Sequence, residues 1–161
     1  MSLNRELLGV CGLYCGACYH YRASTPGGDH LLAAAVRRGW QAEGFGCRGC
    51  RSDRLYLHPG CQACQIRACA EEKGVLHCGQ CGEFPCQTLR VFQNDGRIHH
   101  LEIVGNLREL RTWGPERWLA EQATRWTCEC GNAFSWYESV CTRCGAQLDS
   151  HGSDPRSGLG S

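Results

Sequence analysis

Fifteen of the chain's 161 residues are cysteine, ten of them in five C-x2-C pairs: Cys15/Cys18, Cys47/Cys50, Cys61/Cys64, Cys78/Cys81 and Cys141/Cys144. An odd number of thiols cannot all pair as disulfides. The first residues, MSLNRELLGV, hold no apolar run of signal-peptide length, and nowhere does the chain approach the roughly 18 apolar residues of a membrane span. The expectation is a cytoplasmic protein with no membrane contact, in a reducing compartment where such pairs bind metal more often than they oxidise.

Metal changes the charge balance. The formal net charge is +1, but each four-cysteine zinc site adds four thiolates and one dication, so three sites would bring the folded protein to about −5. The cations are arginines except for Lys73, and they are scattered along the chain. Scattered arginine is weak support for nucleic-acid binding, which usually needs a dense basic patch.

Composition divides the chain into a Cys- and Gly-rich module over residues 1–97, a helical hairpin over 98–126, a zinc ribbon over 127–148 and a disordered tail over 149–161. The expected class is a small metal-stabilised α+β protein: an irregular multi-zinc module with short helices, the hairpin, then a β ribbon. Within the module, GDHLLAAAVRRGWQAEGFG predicts a helix from an Asp29 N-cap toward a stop at Gly44. CQIRACAEEKG predicts a short helix ended by Gly74, and PCQTLRVFQNDG another, opened by Pro85 and closed near Gly96. In the hairpin, apolar residues at i+3 steps from Ile98 to Leu107 and the break at Gly114-Pro115 predict two helices. The tryptophans there are expected in the core, and the adjacent His99 and His100 as a solvated pair.

The strongest metal signal is TCECGNAFSWYESVCTRCGAQL. Cys128-x-Cys130, ten residues, then Cys141-x2-Cys144 form two tight knuckles, with a glycine after Cys130 and another after Cys144 to permit the backbone turns. AFSWYESV between them has the aromatic and β-branched content of strands. Cys47, Cys50, Cys61 and Cys64 repeat the ten-residue spacing and read locally as a second four-cysteine site, leaving Cys69, Cys78, Cys81 and Cys86 as a third. The four C-x2-C pairs between residues 15 and 81 also permit cross-braced or nested pairings.

The opening trio, Cys11, Cys15 and Cys18, has the C-x3-C-x2-C spacing of radical S-adenosylmethionine enzymes, but the chain lacks the βα repeat that context requires. The same trio can close a zinc site with His20, His30, His58 or His77, or with a further cysteine. An iron–sulfur cluster held by Cys11, Cys15 and Cys18 is the alternative.

CGLYCGACYHYRA, GCRGC, CQIRACAEEKG and HCGQCGEFPC, in that order over about residues 9 to 94, resemble the Cys-rich prokaryotic proteins grouped as domain of unknown function 3795. The resemblance implies metal-ligand roles for Cys11, Cys15, Cys18, Cys47, Cys50, Cys64, Cys69, Cys78, Cys81 and Cys86, with Cys61 outside its fixed pattern. It implies no activity. The hairpin and ribbon look like an extension.

Three readings of function follow. The first is a non-enzymatic multi-zinc adaptor, with about three or four Zn2+ supplying folding energy and a protein partner bound between the sites. The second is a redox or metal-handling protein working at Cys11, Cys15 and Cys18. The third is nucleic-acid binding through the ribbon, with Arg125, Trp126, Trp136 and Arg143 as a stacking and phosphate surface. No P-loop, dinucleotide glycine pattern or H-E-x-x-H occurs, which leans the reading away from an enzyme.

Overall fold

A computed structural model of the chain describes residues 4–154. Its regular elements are helices: α1 Tyr19–Ala23, α2 Asp29–Arg37, α3 Pro59–Gln62, α4 Gln65–Glu72, α5 Gln87–Gln93, α6 Ile103–Trp113 and α7 Pro115–Arg125. Single 3-10 turns at Cys15–Ala17, Cys78–Gln80 and Ile98–Glu102 connect them.

The local signals explain most helix ends. α4 stops just before Gly74, whose φ of +64° belongs to the left-handed region that closes helices, and Gly96 does the same beyond α5 at +93°. Gly114 (φ +80°) separates α6 from α7, and Pro115 opens α7 at a position where its missing N–H costs nothing. Two boundaries move. Gly28, not Asp29, caps α2, and that helix ends at Arg37, with Gly39 (φ +88°) just beyond it, so Trp40 lies outside the helix.

The expected α+β class and β zinc ribbon are not what forms. Among the described residues there is no β-strand, only isolated antiparallel bridges at Leu8/Tyr14, Thr127/Ala133 and Val140/Gln147. Each bridge closes a turn around a cysteine, and the ladder stops there. Phe134 N–H to Trp126 O is still a bond of the Thr127/Ala133 bridge, but the next donor on that side, Trp136 N–H, turns to Ala17 O (3.1 Å), so the ladder does not propagate. Phe134, Ser135 and Trp136 are all buried in succession, where an alternating strand would expose one of the three.

One hydrophobic cluster joins residues from Leu8 to Leu148. It joins Leu8, Tyr14 and Ala17 to Ile66 and Leu89, to Ile103, Leu107 and Leu110 of α6, to Trp118 and Trp126 of α7, and to Phe134, Trp136 and Leu148. Trp118 is fully buried and meets Tyr14 edge-on at 6.3 Å, so the hairpin tryptophans Trp118 and Trp126 are core residues. α6 backs two cysteine loops at once. A Cβ on Gly12 would sit 2.7 Å from Ile103 O, and one on Gly79 would sit 2.8 Å from Leu107 O; the absence of side chains there lets the Cys11 and Cys78 loops lie against the helix backbone. Asn106 Nδ2 donates to Gly12 O (2.9 Å), and Cys78 N–H to Val10 O (2.8 Å), tying the two loops to α6 and to each other.

His99 and His100 are buried, contrary to the expected solvated pair. They lie on the 3-10 turn before α6; His99 stacks on Trp136 (4.1 Å between ring centres) and pairs with Tyr137 Oη, while His100 pairs with Asp95 and stacks on Phe92. Their partners come from elsewhere in the chain, which the helical reading of 98–126 did not contain. Beyond Leu148, residues 149–154 hold a 3-10 turn at His151–Ser153, with His151 N–H donating to Trp136 O. The rest of the expected tail, 155–161, lies outside the described residues.

Candidate metal centre

The sulfurs of Cys128, Cys130, Cys141 and Cys144 lie within 4.8 Å of one another, among the described residues the one group of three or more ligand atoms drawn together so tightly. Cys128 and Cys144 sulfurs are 3.6 Å apart, as are those of Cys130 and Cys141. A disulfide would need about 2.05 Å. An ion about 2.3 Å from four tetrahedrally placed sulfurs sets neighbouring sulfurs about 3.8 Å apart, so this cage fits a divalent ion of zinc's size and softness.

The chain builds the cage from two closed turns. Cys128 N–H donates to Asn132 O and Gly131 N–H returns to Cys128 O; Cys141 N–H donates to Ala146 O and Gly145 N–H returns to Cys141 O. Gly131 and Gly145 take φ of +84° and +76°, which explains the glycine after each second cysteine. Backbone N–H groups of Cys144 and Arg143 aim at the Cys141 sulfur and lower its pKa to about 6, as a thiolate ligand requires. Asn132 Nδ2 also points at that sulfur from 3.7 Å, and Arg143 Nη1 donates to Cys130 O. Cys128 and Cys141 are buried while Cys130 and Cys144 face outward.

The other eleven cysteines are all unpaired as disulfides. Cys15 and Cys50 act on each other's titration: the neighbouring Cys15 lowers the Cys50 thiol to about 6, and Cys50, together with burial, raises Cys15. Burial first, and then the surrounding Cys50, Cys64 and Cys78, push the Cys11 thiol well above its ordinary value. Burial pushes the Cys18 thiol up to about 12, with Cys47 and Cys61 adding to the rise. Gly49 N–H donates to the Cys47 sulfur at 3.4 Å. Burial first, and then Cys86, Cys69, Cys81 and Cys64, raise the Cys78 thiol to about 12. Lys73 Nζ reaches the Cys81 sulfur at 3.5 Å. Cys50 thus acts electrostatically on Cys11 and Cys15, and Cys47, Cys50 and Cys64 on Cys61, but among the described residues no three of these eleven sulfurs come within 4.8 Å of one another.

The ribbon's supposed stacking surface is arranged differently from the sequence expectation. Trp126 and Trp136 are 2% and 5% exposed, so neither offers a ring face to a base. Arg125 is held by both carboxylate oxygens of Glu102.

Sequence reasoning missed a cleft of about 480 Å³ where the first module meets the residues after the first C-terminal knuckle. Tyr19, Trp40, Phe45 and Tyr137 wall it, Arg38 and Arg97 line it, and the buried Ser135 Oγ has no hydrogen-bond partner among the described residues. The adjacent histidines were the available signal. Burial, and then the neighbouring His100, His151 and Arg97, hold the His99 pKa down to about 2. Below the ordinary value of 6.5 the unfolded chain takes up a proton at this site that the folded chain refuses, so the stabilisation present above that pH is lost progressively as pH falls toward about 2. Urea titrations at about pH 7.5 and about pH 6 are expected to show a smaller drop for His99→Gln than for the native protein. Equal drops would place the pH dependence elsewhere.

No helix among the described residues is long and apolar enough to cross a membrane. No curated protein and no solved structure matches the chain. A family model does match, over residues 7–91, more than half of the chain and the stretch that carries the first eleven cysteines. With its ordered run of C-x2-C loops inside that match, the chain belongs to the family described as protein of unknown function DUF3795.

Proposed function

We propose that the protein is a multi-zinc adaptor: a binding module whose fold depends on several structural metal ions and whose surface between them takes a protein partner. The observation that carries the metal half is the four-sulfur cage of Cys128, Cys130, Cys141 and Cys144, with spacings suited to a tetrahedral ion. All four positions are filled by cysteine, which is the donor set of structural sites; a catalytic site keeps a position open.

The mutual electrostatic influence of the other cysteines is the support for two more four-thiolate sites. One draws on Cys11, Cys15, Cys50 and Cys64, joining loops far apart in sequence. The other draws on Cys69, Cys78, Cys81 and Cys86. For the binding half, the cleft lined by Trp40, Tyr137, Arg38 and Arg97 supplies aromatic walls beside cations, the composition that dominates interface hot spots.

The test is element analysis and visible absorption of protein purified without oxygen. At least about three zinc per chain and no colour are expected, given four ligands per ion. Iron with labile sulfide would replace this reading by an iron–sulfur centre at the opening cysteines. In parallel, co-purified partners are compared between native protein and a Trp40→Ala, Arg97→Glu variant of equal metal content. Retention should fall by at least about tenfold; unchanged retention would put the partner on another face.

A further inference from the structure

Three segments build the cleft of about 480 Å³. One face of α2 brings Leu31, Ala34 and Ala35 to it at i, i+3 and i+4, and the same stripe reaches Arg38 a turn beyond Ala35. Trp40 and Phe45, edge to face at 5.8 Å, follow in the loop after that helix. Arg97 and the stretch from Ser135 to Glu138 complete the lining from outside the family match.

Burial grades across the lining. Ser135 is 1% exposed, and its Oγ has no hydrogen-bond partner among the described residues. A buried hydroxyl left unmet is uncommon in a native interior, and beside a cleft it is a group that a bound ligand can complete. Trp40 is 48% exposed, an indole only half covered by its own chain, and both arginines are exposed.

The charges on the lining do not cancel. Glu138, its carboxylate, is already engaged, one oxygen with His30 Nε2 and the other with the Ser135 N–H. Arg38 has no acidic partner among the described residues. Arg97 Nη1 stands 3.7 Å from Asp95 Oδ2, beyond hydrogen-bond reach, while the other Asp95 oxygen pairs with His100 Nδ1. Two guanidinium groups thus line an aromatic cleft with most of their donors unspent, and carboxylate is the group that their planar forks match best in a polypeptide.

We propose that the cleft takes an acidic segment of the protein partner, anchored by one aromatic side chain against Trp40 and Tyr137, with carboxylates flanking that anchor paired to Arg38 and Arg97. The proposal rests on the adaptor reading and names the chemistry of its partner. The aromatic anchor supplies the desolvated centre of the contact, and the carboxylates supply steering and register. A nucleic-acid strand is the poorer match, because a groove that tracks a phosphate backbone needs a row of cations, and here two arginines stand beside an engaged glutamate. Since Trp40 and Phe45 lie within the family match and Arg97, Ser135 and Tyr137 beyond it, neither part makes the site without the other.

Calorimetry on native, metal-loaded protein tests this with three peptides, each acetylated and amidated: Asp-Glu-Trp-Glu-Asp, its uncharged analogue Asn-Gln-Trp-Gln-Asn, and Asp-Glu-Ala-Glu-Asp. The acidic tryptophan peptide should bind at least about tenfold more tightly than either control. Raising salt from about 0.05 to about 0.5 M should weaken that peptide and not the uncharged one. Arg38→Glu combined with Arg97→Glu should reverse the preference, so that Lys-Arg-Trp-Arg-Lys binds more tightly than the acidic peptide, an inversion that misfolding would not produce. Equal binding of the acidic and uncharged peptides, no binding of any peptide, or tighter binding of an oligothymidylate than of the acidic peptide overturns the proposal; so does an unreversed preference in a folded variant. If the variant does not fold, the peptide comparison on native protein decides. The adaptor reading is judged separately: partners that are lost from the Trp40→Ala, Arg97→Glu variant while the acidic peptide fails would leave a partner of other chemistry in the cleft, and partners that are retained would remove the cleft from the reading altogether.

Discussion

Cys141→Ser is expected to unfold the protein well beyond the C-terminal cage. Sequence spacing would confine the damage, because some 40 residues separate this ligand set from the first module. The packing argues otherwise. Phe134 and Trp136, which lie between the two knuckles, belong to the same cluster as Leu8, Tyr14 and Ala17, and Trp136 N–H donates to Ala17 O. Arg22 of α1 donates to Ala133 O, and Trp126 N–H and Phe134 N–H are anchored around the end of α7. A structural zinc site is worth about 10–16 kcal/mol, as much as the whole stability of a typical domain. Loss of one of four thiolates, two of which are buried, should therefore lower the thermal midpoint by tens of degrees or abolish the transition. Hydrogen exchange gives the decisive reading: protection should fall at α6 as well as at residues 127–148. Full protection retained at α6 would show two independently stable units.

Trp118→Ala is the second large effect. Trp118 is fully exposed to neither solvent nor polar partner: its ring is buried and its Nε1 donor has no acceptor among the described residues. Truncation should cost about 3–5 kcal/mol, since the ring holds α7 against Tyr14 and α6 and the space cannot collapse. Trp118→Phe should cost clearly less, because it also removes the unpaired N–H, whose burial is itself unfavourable by about 1–3 kcal/mol. Denaturant unfolding of the two variants measures the difference. A Phe variant as unstable as the Ala variant would mean that Nε1 is satisfied in solution.

The helices were legible where their end signals are local. Gly74, Gly96 and Gly114-Pro115 act through their own backbone preferences, so reading them needs no tertiary knowledge. The four-sulfur cage was legible for the same reason, its two turns each closing within a few residues. The β ribbon misled because Phe134 and Trp136 have strand-like composition, while the partner of the Trp136 N–H, Ala17, is fixed only by the packed core. Cys15 and Cys50 illustrate the limit for the ligands: 35 positions apart, they meet through the fold, and spacing alone favoured Cys47, Cys50, Cys61 and Cys64 as a closed set. His99 was misjudged because Trp136 and Tyr137, which bury it, lie beyond the hairpin.

The contact between α6 and the Cys11 and Cys78 loops bears on how the protein matures as it leaves the ribosome. Gly12 and Asn106 are 94 positions apart, so the first cysteines emerge long before the helix that supports their loop. At about 5–20 residues per second, synthesis leaves them waiting for several seconds or more without that support. Early thiols would meet metal while still mobile, and the long-range closure onto α6 would then lock whichever ions they had acquired. Maturation would therefore respond to metal supply during translation, and a starved cell would accumulate full-length chains with open N-terminal loops.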